Sequence, residues 1–189
     1  MTSDIDRAVA SLRRGGIVVL PTDTVYGIGA LPDRPVAIEA IFRAKGRSES
    51  NPLPVLGASI EDLASVVTFD ERATRLAGSH WPGPLTLVLP RAPDFEPELG
   101  GLHVGGVAVR VPACEPALAL LRRSGPLAVT SANRSGDAPA TTAADAGRIF
   151  GATIEVVIDG GTCNGAPSTV MSLLGEPEIL RAGPIEPCA

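Results

Sequence analysis

The stretch GGIVVLPTDTVYGIGA, residues 15–30, sets the pattern for the rest of the chain. Its apolar run Ile17–Leu20 predicts a buried strand, because a short apolar run bounded by turn residues is typical of a strand covered on both faces. The glycine pair before this run ends a predicted helix whose capping pair is Ser3 and Asp6. The segment PTDTVYGIG that follows predicts a loop carrying polar side chains.

From this stretch outward, predicted helices and strands alternate. Helices are predicted over 36–45, 71–77 and 116–123, and after the capping pairs Ser59/Asp62 and Thr142/Asp145. Strands are predicted at 85–89, 107–111, 127–130, 156–158, 169–173 and 179–181. This alternation favours one α/β domain over residues 1–189, in which helices pack on a sheet. The hairpin-like closing strands favour a mixed, open sheet.

Composition narrows the class of protein. The chain has 189 residues, of which 44% are hydrophobic, so it can bury a sizeable core. Its formal charge of -5 argues against a broad nucleic-acid-binding surface. The first residues lack a signal-peptide pattern, and no run approaches the roughly 20 apolar residues that span a bilayer. Three widely spaced cysteines form neither a disulfide framework nor a zinc motif. We therefore expect a cytoplasmic protein without a protein-built metal site.

The common enzyme motifs are missing from the sequence: it has no GK[ST], G-x-G-x-x-G, G-x-S-x-G or H-E-x-x-H. Instead, the sequence has a set of polar clusters, most of which lie just after predicted strands. Strand carboxyl ends are where open α/β sheets bind ligands. The clusters are Thr22–Thr24, Arg43 with Lys45, Arg47 and Asn51, Arg110, Thr130 with Ser131, Asn133 and Ser135, Ser168 with Thr169, and Arg181.

Each cluster also has a structural interpretation. Thr22 and Thr24 could cap a turn, the cations near 45 could be the solvated end of a helix, and SANRSG could be an ordinary turn. Arg110 and Arg181 end apolar strands, where a charge needs a partner or a ligand. Together, the clusters supply cations and hydroxyls but few carboxylates, which predicts a pocket for anions.

The same residues resemble the YrdC/Sua5 family of threonylcarbamoyl-AMP synthases over most of the chain. The similar segments are GGIVVLPTDTVYGIGA, IFRAKGRSESNPLPV, WPGPLTLVL, VAVRVP, SANRSG, PATTA, VIDGG, PSTV and ILRAGPI. In this family, the K-x-R of Lys45 and Arg47 and the S-x-N of Ser131 and Asn133 form the signature. The resemblance implies a twisted α/β fold with a concave basic cavity, in the short form without a further C-terminal domain.

The resemblance also implies an activity and its partners. The expected reaction converts L-threonine, bicarbonate and ATP into threonylcarbamoyl-AMP and pyrophosphate, the first step of tRNA threonylcarbamoyladenosine modification. Mg²⁺ is expected to be held by the ATP phosphates rather than by a protein cage. The product would pass to a downstream threonylcarbamoyl transfer enzyme, and a weak contact with tRNA is compatible with this role.

Site roles are carried over by matching position. The threonine-binding positions are Thr24, Arg110, Ser131 and Ser168. The ATP-binding positions are Arg47, Asn51, Asn133, Thr141 and Arg181. The positions expected to act in catalysis are Lys45, Arg47, Ser131 and Asn133, by positioning and electrostatic stabilisation rather than as covalent nucleophiles. Lys45 is expected near the phosphates or the carbamate, and Lys45, Arg47 and Arg181 are suited to bind phosphates.

The sequence departs from the family pattern at Leu56, where some relatives have a histidine that helps to bind threonine. This departure bears on threonine selectivity. Two alternatives therefore stay open beside the synthase: an RNA-binding maturation factor, and a paralogous carbamoyl-transfer enzyme of the same fold.

Overall fold

The computed structural model describes residues 2–101, 105–163 and 165–187. The helices are α1 Thr2–Arg13, α2 Pro35–Lys45, α3 Ile60–Leu63, α4 Glu71–His80, α5 Glu115–Ser124 and α6 Ala143–Phe150, followed by a 3₁₀ turn at Gly151–Thr153. The strands are β1 Val18–Leu20, β2 Gly27–Ala30, β3 Val55–Leu56, β4 Leu85–Pro90, β5 Gly106–Arg110, β6 Leu127–Ser131, β7 Val156–Val157, β8 Thr169–Ser172 and β9 Glu178–Arg181.

All nine strands belong to one mixed sheet, in the order β7-β1-β2-β6-β3-β5-β4-β8-β9. Three neighbouring pairs are parallel (β1 with β7, β3 with β5, β4 with β8), and the other five are antiparallel. The closing β8–β9 pair is antiparallel, as the hairpin-like pattern predicts. The predicted α/β fold with an open mixed sheet and flanking helices is confirmed.

Local sequence patterns predicted the positions of most helices and strands correctly. The side chains of Ser59 and Thr142 accept hydrogen bonds from the backbone N–H groups of Asp62 and Asp145, so both predicted caps are present. The first helix begins at Thr2, which places Ser3 inside its first turn rather than before it. None of the helices in the described parts of the chain is long and apolar enough to cross a membrane.

Two strands were not predicted. Residues 27–29 were expected to belong to the loop PTDTVYGIG, but Gly27–Ala30 forms β2, between β1 and β6. A Cβ atom at Gly27 would lie 2.6 Å from Val129 Cγ1 of the neighbouring strand, so glycine is required by close packing and not by a turn. The two-residue β3, Val55–Leu56, is short enough to give no clear pattern, yet it joins β6 to β5.

The core lies on both sides of the sheet. One cluster, which includes Ile28, Ile41 and Leu87, packs against α2, α4 and α6, and the other joins α1 and α5 to β1 through residues such as Leu12 and Leu120. Aliphatic side chains supply nearly all of this burial, as the low aromatic content requires. The sheet is therefore packed against helices on both faces.

Candidate active site

A cavity of about 500 Å³ lies across one face of the sheet. Alternate residues of the central strands line it, as expected for side chains that point to one face of a pleated sheet: Thr86, Val88, Ala108, Arg110, Val129 and Ser131. Its volume lies within the usual range of small-molecule sites.

The position of the cavity corrects one expectation. The polar clusters were expected at the carboxyl ends of strands, but Arg110 and Ser131 end strands that run in opposite directions. Ser168 lies just before β8 and not after a strand. These side chains meet because the cavity crosses the face of the sheet, where residues from both strand ends can converge.

Three arginines, Arg47, Arg110 and Arg181, line this cavity, and its described lining residues include no carboxylate. Burial lowers the pKa of Arg47 and of Arg110, and the nearby positive charge of Arg181 lowers both further. Guanidinium groups remain charged under all ordinary conditions, so the cavity concentrates positive charge. Of the four cations expected to share one cavity, Arg47, Arg110 and Arg181 line it and Lys45 does not.

Arg110 is held on three sides. Its Nε donates to Gly83 O at 2.8 Å, its Nη1 to Thr24 Oγ1 at 3.0 Å, and its Nη2 to Asp23 Oδ1 at 2.6 Å. Asp23 also accepts from the N–H of Ala113 at 3.0 Å. Desolvation lowers the pKa of Arg110, and the Asp23 carboxylate partly offsets this. The guanidinium is therefore fixed in one orientation, with its remaining N–H groups available to a ligand.

The turn after β1 positions Thr24. The Thr22 hydroxyl donates to Val25 O at 2.6 Å and accepts from the backbone N–H groups of Thr24 and Val25 at 3.2 Å. The two threonine Oγ1 atoms are 2.9 Å apart. Thr22 thus caps the turn, as its structural interpretation holds, while both threonines also line the cavity.

Ser168 and Arg181 form the opposite wall. Arg181 donates to Ser168 O through Nε at 3.0 Å and Nη2 at 2.8 Å, and Nη2 also lies 3.2 Å from Ser168 Oγ. The Ser168 hydroxyl is hydrogen-bonded to Thr86 Oγ1 at 2.7 Å, and both residues are buried. Arg181 itself is exposed at the cavity mouth, where its guanidinium is accessible to a ligand.

Arg47 and Asn51 belong to the segment after α2. Arg47 Nε donates to Asn51 O at 2.9 Å, and Nη2 donates to Pro52 O at 3.2 Å. These bonds close the loop back on itself. Both side chains line the cavity, with Asn51 exposed at its rim.

Lys45 and Asn133 are placed differently, since neither lines the cavity. Lys45 is 2% exposed, and its Nζ donates to Ser131 O, Asn133 O and Asn133 Oδ1 at 2.5, 2.7 and 3.2 Å. Burial, and secondarily the charge of Arg47, lowers the pKa of Lys45 to about 8. The ammonium therefore lies behind the wall that carries Ser131, and its expected role at the phosphates stays a prediction.

Thr141 lies in a second, adjoining pocket of about 330 Å³ with Asp145 and Arg148. Pro139 and Ala140 line this pocket as well, and Pro139 also lines the main cavity, so the two are neighbours. The expected ATP contact of Thr141 would thus require a ligand that extends past Pro139.

Sequence reasoning gave no role to Asp23, Thr86 or Tyr26, all of which organise the site. The Tyr26 hydroxyl donates to Gly161 O at 2.7 Å and accepts from the N–H of Gly160 at 3.1 Å, and burial raises its pKa. Asp23 and Tyr26 lie in the predicted polar loop close to Thr24, so their place in the sequence could have indicated a role at the site.

A family model, Sua5/YciO/YrdC, described as "Telomere recombination", matches residues 10–183. The chain belongs to this family. Membership in the Sua5/YciO/YrdC family confirms the resemblance carried by the sequence motifs.

Curated Sua5/YciO/YrdC relatives support the same assignment. The threonylcarbamoyl-AMP synthase of Pyrococcus abyssi is 44% identical over 178 residues, which cover 92% of this chain and 52% of the relative. That of Thiobacillus denitrificans is 39% identical over 175 residues and 92% of each chain. The chain thus spans about half of one relative and nearly all of the other.

A solved structure of the family matches the fold closely. The crystal structure of P. abyssi Sua5 complexed with L-threonine is 43% identical and superposes with a TM-score of 0.89. The match covers 95% of this chain and 54% of that one. The sheet and its helices are therefore those of the Sua5/YciO/YrdC family.

Proposed function

We propose that this chain is a threonylcarbamoyl-AMP synthase, which converts L-threonine, bicarbonate and ATP into threonylcarbamoyl-AMP and pyrophosphate. The observation that carries the proposal is the single cavity into which Arg47, Arg110 and Arg181 converge without a carboxylate among its described lining residues. The curated relatives that are 44% and 39% identical to this chain are named threonylcarbamoyl-AMP synthase, which supports the same activity.

The reaction needs several anions held close together. The threonine amine attacks the bicarbonate carbon, and water leaves to give a carbamate. A carbamate oxygen then attacks the α-phosphorus of ATP, and the bond to the pyrophosphate oxygen breaks. No covalent bond to the protein is required, so the protein acts by positioning the reactants and by stabilising their charge. This makes the chain a nucleotidyltransferase.

The cavity offers suitable partners for the amino acid. Arg110 presents free N–H donors to the threonine carboxylate, for which the forked guanidinium is well matched. Thr24 and Ser168 line the same cavity as Arg110 and would supply hydroxyl groups for the amino-acid end of the substrate. Ser131 borders the same space and would contact the amine or the carbamate.

The nucleotide would occupy the open side of the cavity. Arg47 and Arg181 are accessible there and would bind phosphate oxygens, while Asn51 at the rim and Thr141 in the adjoining pocket would contact the nucleoside end. Asn133 would act from behind the wall by fixing Ser131, to which it is hydrogen-bonded.

Mg²⁺ would arrive with ATP. A cavity lined by guanidinium and hydroxyl groups suits a cation already neutralised by phosphate oxygens, and not a bare ion. When bound, the ion would offset charge on the polyphosphate. The described residues contain no cluster of three or more acidic, histidine or cysteine side chains that could hold a metal.

The product is a mixed anhydride and must be consumed by an enzyme that transfers its threonylcarbamoyl group to tRNA. A weak contact with tRNA would assist this transfer. Since its expected substrates ATP and tRNA occur in the cytoplasm, we expect the protein to act there.

The direct test measures pyrophosphate release from ATP with each substrate omitted in turn. The expected result is release that requires both threonine and bicarbonate, with ¹³C-bicarbonate label found in threonylcarbamoyl-AMP by mass spectrometry. Arg181→Met should weaken ATP binding at least tenfold, whereas the matched variant of an exposed ion-paired arginine, Arg122→Met, should not. Release without threonine dependence would reject the proposal.

Leu56 is the reason to test one alternative function, a paralogous carbamoyl-transfer enzyme. It lines the cavity beside Arg110, in a place where a histidine would be able to donate a hydrogen bond. Comparing threonine, serine and carbamoyl phosphate as substrates would separate the synthase from a paralogous carbamoyl-transfer enzyme. Salt-dependent RNA binding without turnover would instead favour an RNA-binding maturation factor.

A further inference from the structure

Lys45, the only lysine of the chain, uses every donor it has inside the protein. An ammonium group carries three N–H donors, and the three contacts of Nζ are all to oxygens of Ser131 and Asn133. The Lys45 carbonyl in turn accepts from the N–H of Ser135 at 2.8 Å. Both ends of the residue therefore hold the segment 131–135.

The oxygens that Lys45 contacts control the hydroxyl of Ser131. Asn133 Oδ1 accepts from Lys45 and also from Ser131 Oγ, at 2.6 Å. The Asn133 amide nitrogen donates to Arg134 O at 2.7 Å and to Asp137 O at 2.9 Å, so the amide cannot turn over without losing these bonds. Ser131 donates its only hydroxyl proton to Asn133. Because Ser131 lines the cavity, its hydroxyl is left to act there as a hydrogen-bond acceptor.

A direct phosphate contact by Lys45 would require the opposite arrangement. The side chain does not line the cavity and is nearly inaccessible to solvent. To reach a phosphate, its ammonium would have to break all three of its buried hydrogen bonds to Ser131 and Asn133, which would be costly. Arg47 and Arg181 already stand in the cavity with accessible guanidinium groups.

We propose that Lys45 is a positioning residue that acts through Asn133 and Ser131, and not a ligand of the ATP phosphates. By fixing Asn133 Oδ1, it directs the Ser131 proton away from the cavity and leaves Ser131 Oγ to accept an N–H of the amino-acid substrate. This inference rests on the proposed synthase activity and assigns the signature lysine a role within it.

The first test separates binding from turnover. Lys45→Met, which removes the donors but keeps the length of the side chain, should lower kcat at least tenfold while the Kd for ATP, measured by calorimetry, changes less than threefold. Arg181→Met is the matched comparison and should weaken ATP binding at least tenfold. A tenfold weaker Kd for ATP in Lys45→Met would overturn the proposal.

The second test asks whether Lys45 works through Ser131. If it does, the double variant Lys45→Met/Ser131→Ala should have nearly the same kcat as Lys45→Met alone. Both substitutions would remove the same interaction, so their effects would not be additive. Multiplication of the two single effects would instead show that Lys45 contacts the reactants independently, and would overturn the inference.

A third measurement needs neither a variant nor turnover. Because the chain has one lysine, ¹⁵Nζ-lysine labelling gives one ammonium signal. That signal should keep its slow proton exchange when ATP is added and should show no coupling to ³¹P; a resolved coupling would overturn the proposal. If the wild type releases no threonine-dependent pyrophosphate, the proposed function fails, whereas this signal still decides where the ammonium is bound.

Discussion

Arg110 and Asp23 form an ion pair, with Nη2 and Oδ1 2.6 Å apart and side chains that are only 6% and 15% exposed. The pair joins the end of β5 to the turn after β1. A buried cation beside a single carboxylate keeps its orientation, because both groups would lose solvation and hydrogen bonds if they separated. The residue proposed to hold the substrate carboxylate is thus itself held by a carboxylate.

Asp23→Asn tests this pair. The amide can still accept from Arg110 and from the N–H of Ala113, so the variant removes mainly the charge. We expect the free energy of unfolding, from urea titration, to fall by about 1–3 kcal/mol. The matched variant Glu115→Gln, in the exposed pair with Arg122, should change it by less than about 0.5 kcal/mol. Equal effects in both variants would contradict the buried-pair argument.

Arg110→Lys tests the forked contact to the amino acid. Lysine keeps the charge but cannot hold Gly83, Thr24 and Asp23 while presenting a fork to a carboxylate. The KM for threonine should rise at least tenfold, which corresponds to about 1.4 kcal/mol. Arg122→Lys provides the control, since that arginine is exposed and distant from the lining. An unchanged KM for threonine in Arg110→Lys would remove the residue from substrate binding.

The titration of Lys45 gives a prediction about pH. With ¹³Cε-lysine, the single resonance should titrate with a midpoint near pH 8, because burial and Arg47 lower the pKa of this ammonium to about 8 from 10.5. Between these two values the unfolded chain binds more protons than the folded one, so Lys45 contributes a rise in folding stability as pH increases. The stability of the wild type relative to Lys45→Met should therefore increase from pH 8 to pH 10. A midpoint above pH 10 would contradict this.

Gly27→Ala tests the packing of β2 on β6. The added Cβ would lie 2.6 Å from Val129 Cγ1, so the strand or the valine must shift. We expect the free energy of unfolding to fall by about 1–3 kcal/mol, measured by thermal or urea denaturation. Gly78→Ala is the control of opposite sign: it lies in α4 with nothing within 4 Å of the new Cβ, and should stabilise by up to about 1 kcal/mol. A neutral Gly27→Ala would show that this contact is soft.

The positions of Lys45 and Arg47 could not be predicted from their spacing in the sequence. Lys45 and Arg47 are two residues apart and were expected to share the phosphates. The helix α2 ends at Lys45, however, and Gly46 takes a left-handed conformation with φ 59°. The chain turns there, so that Lys45 points beneath the segment after β6 while Arg47 points into the cavity. Sequence spacing alone does not contain that divergence.

The strands β2 and β3 were not predicted for a related reason. The sequence of β2, GIGA, lacks the β-branched residues of a typical strand, and its glycines are explained only by Val129, about a hundred residues away. β3 is two residues long and exists because β5 and β6 flank it. Pairing with distant strands, and not local propensity, makes both segments strands.

Local sequence patterns were sufficient to predict the helices, most strands and the helix caps at Ser59 and Thr142. They also indicated that the cations and hydroxyl groups of the site suit anionic ligands. These features depend on periodicity, on neighbours three or four residues away and on side-chain charge, all of which are written in the order of residues. The shape of the site was decided only by folding. The cavity joins Arg110 to Ser168 and Arg181 across strands of different direction, and such convergence depends on long-range packing that no short segment contains.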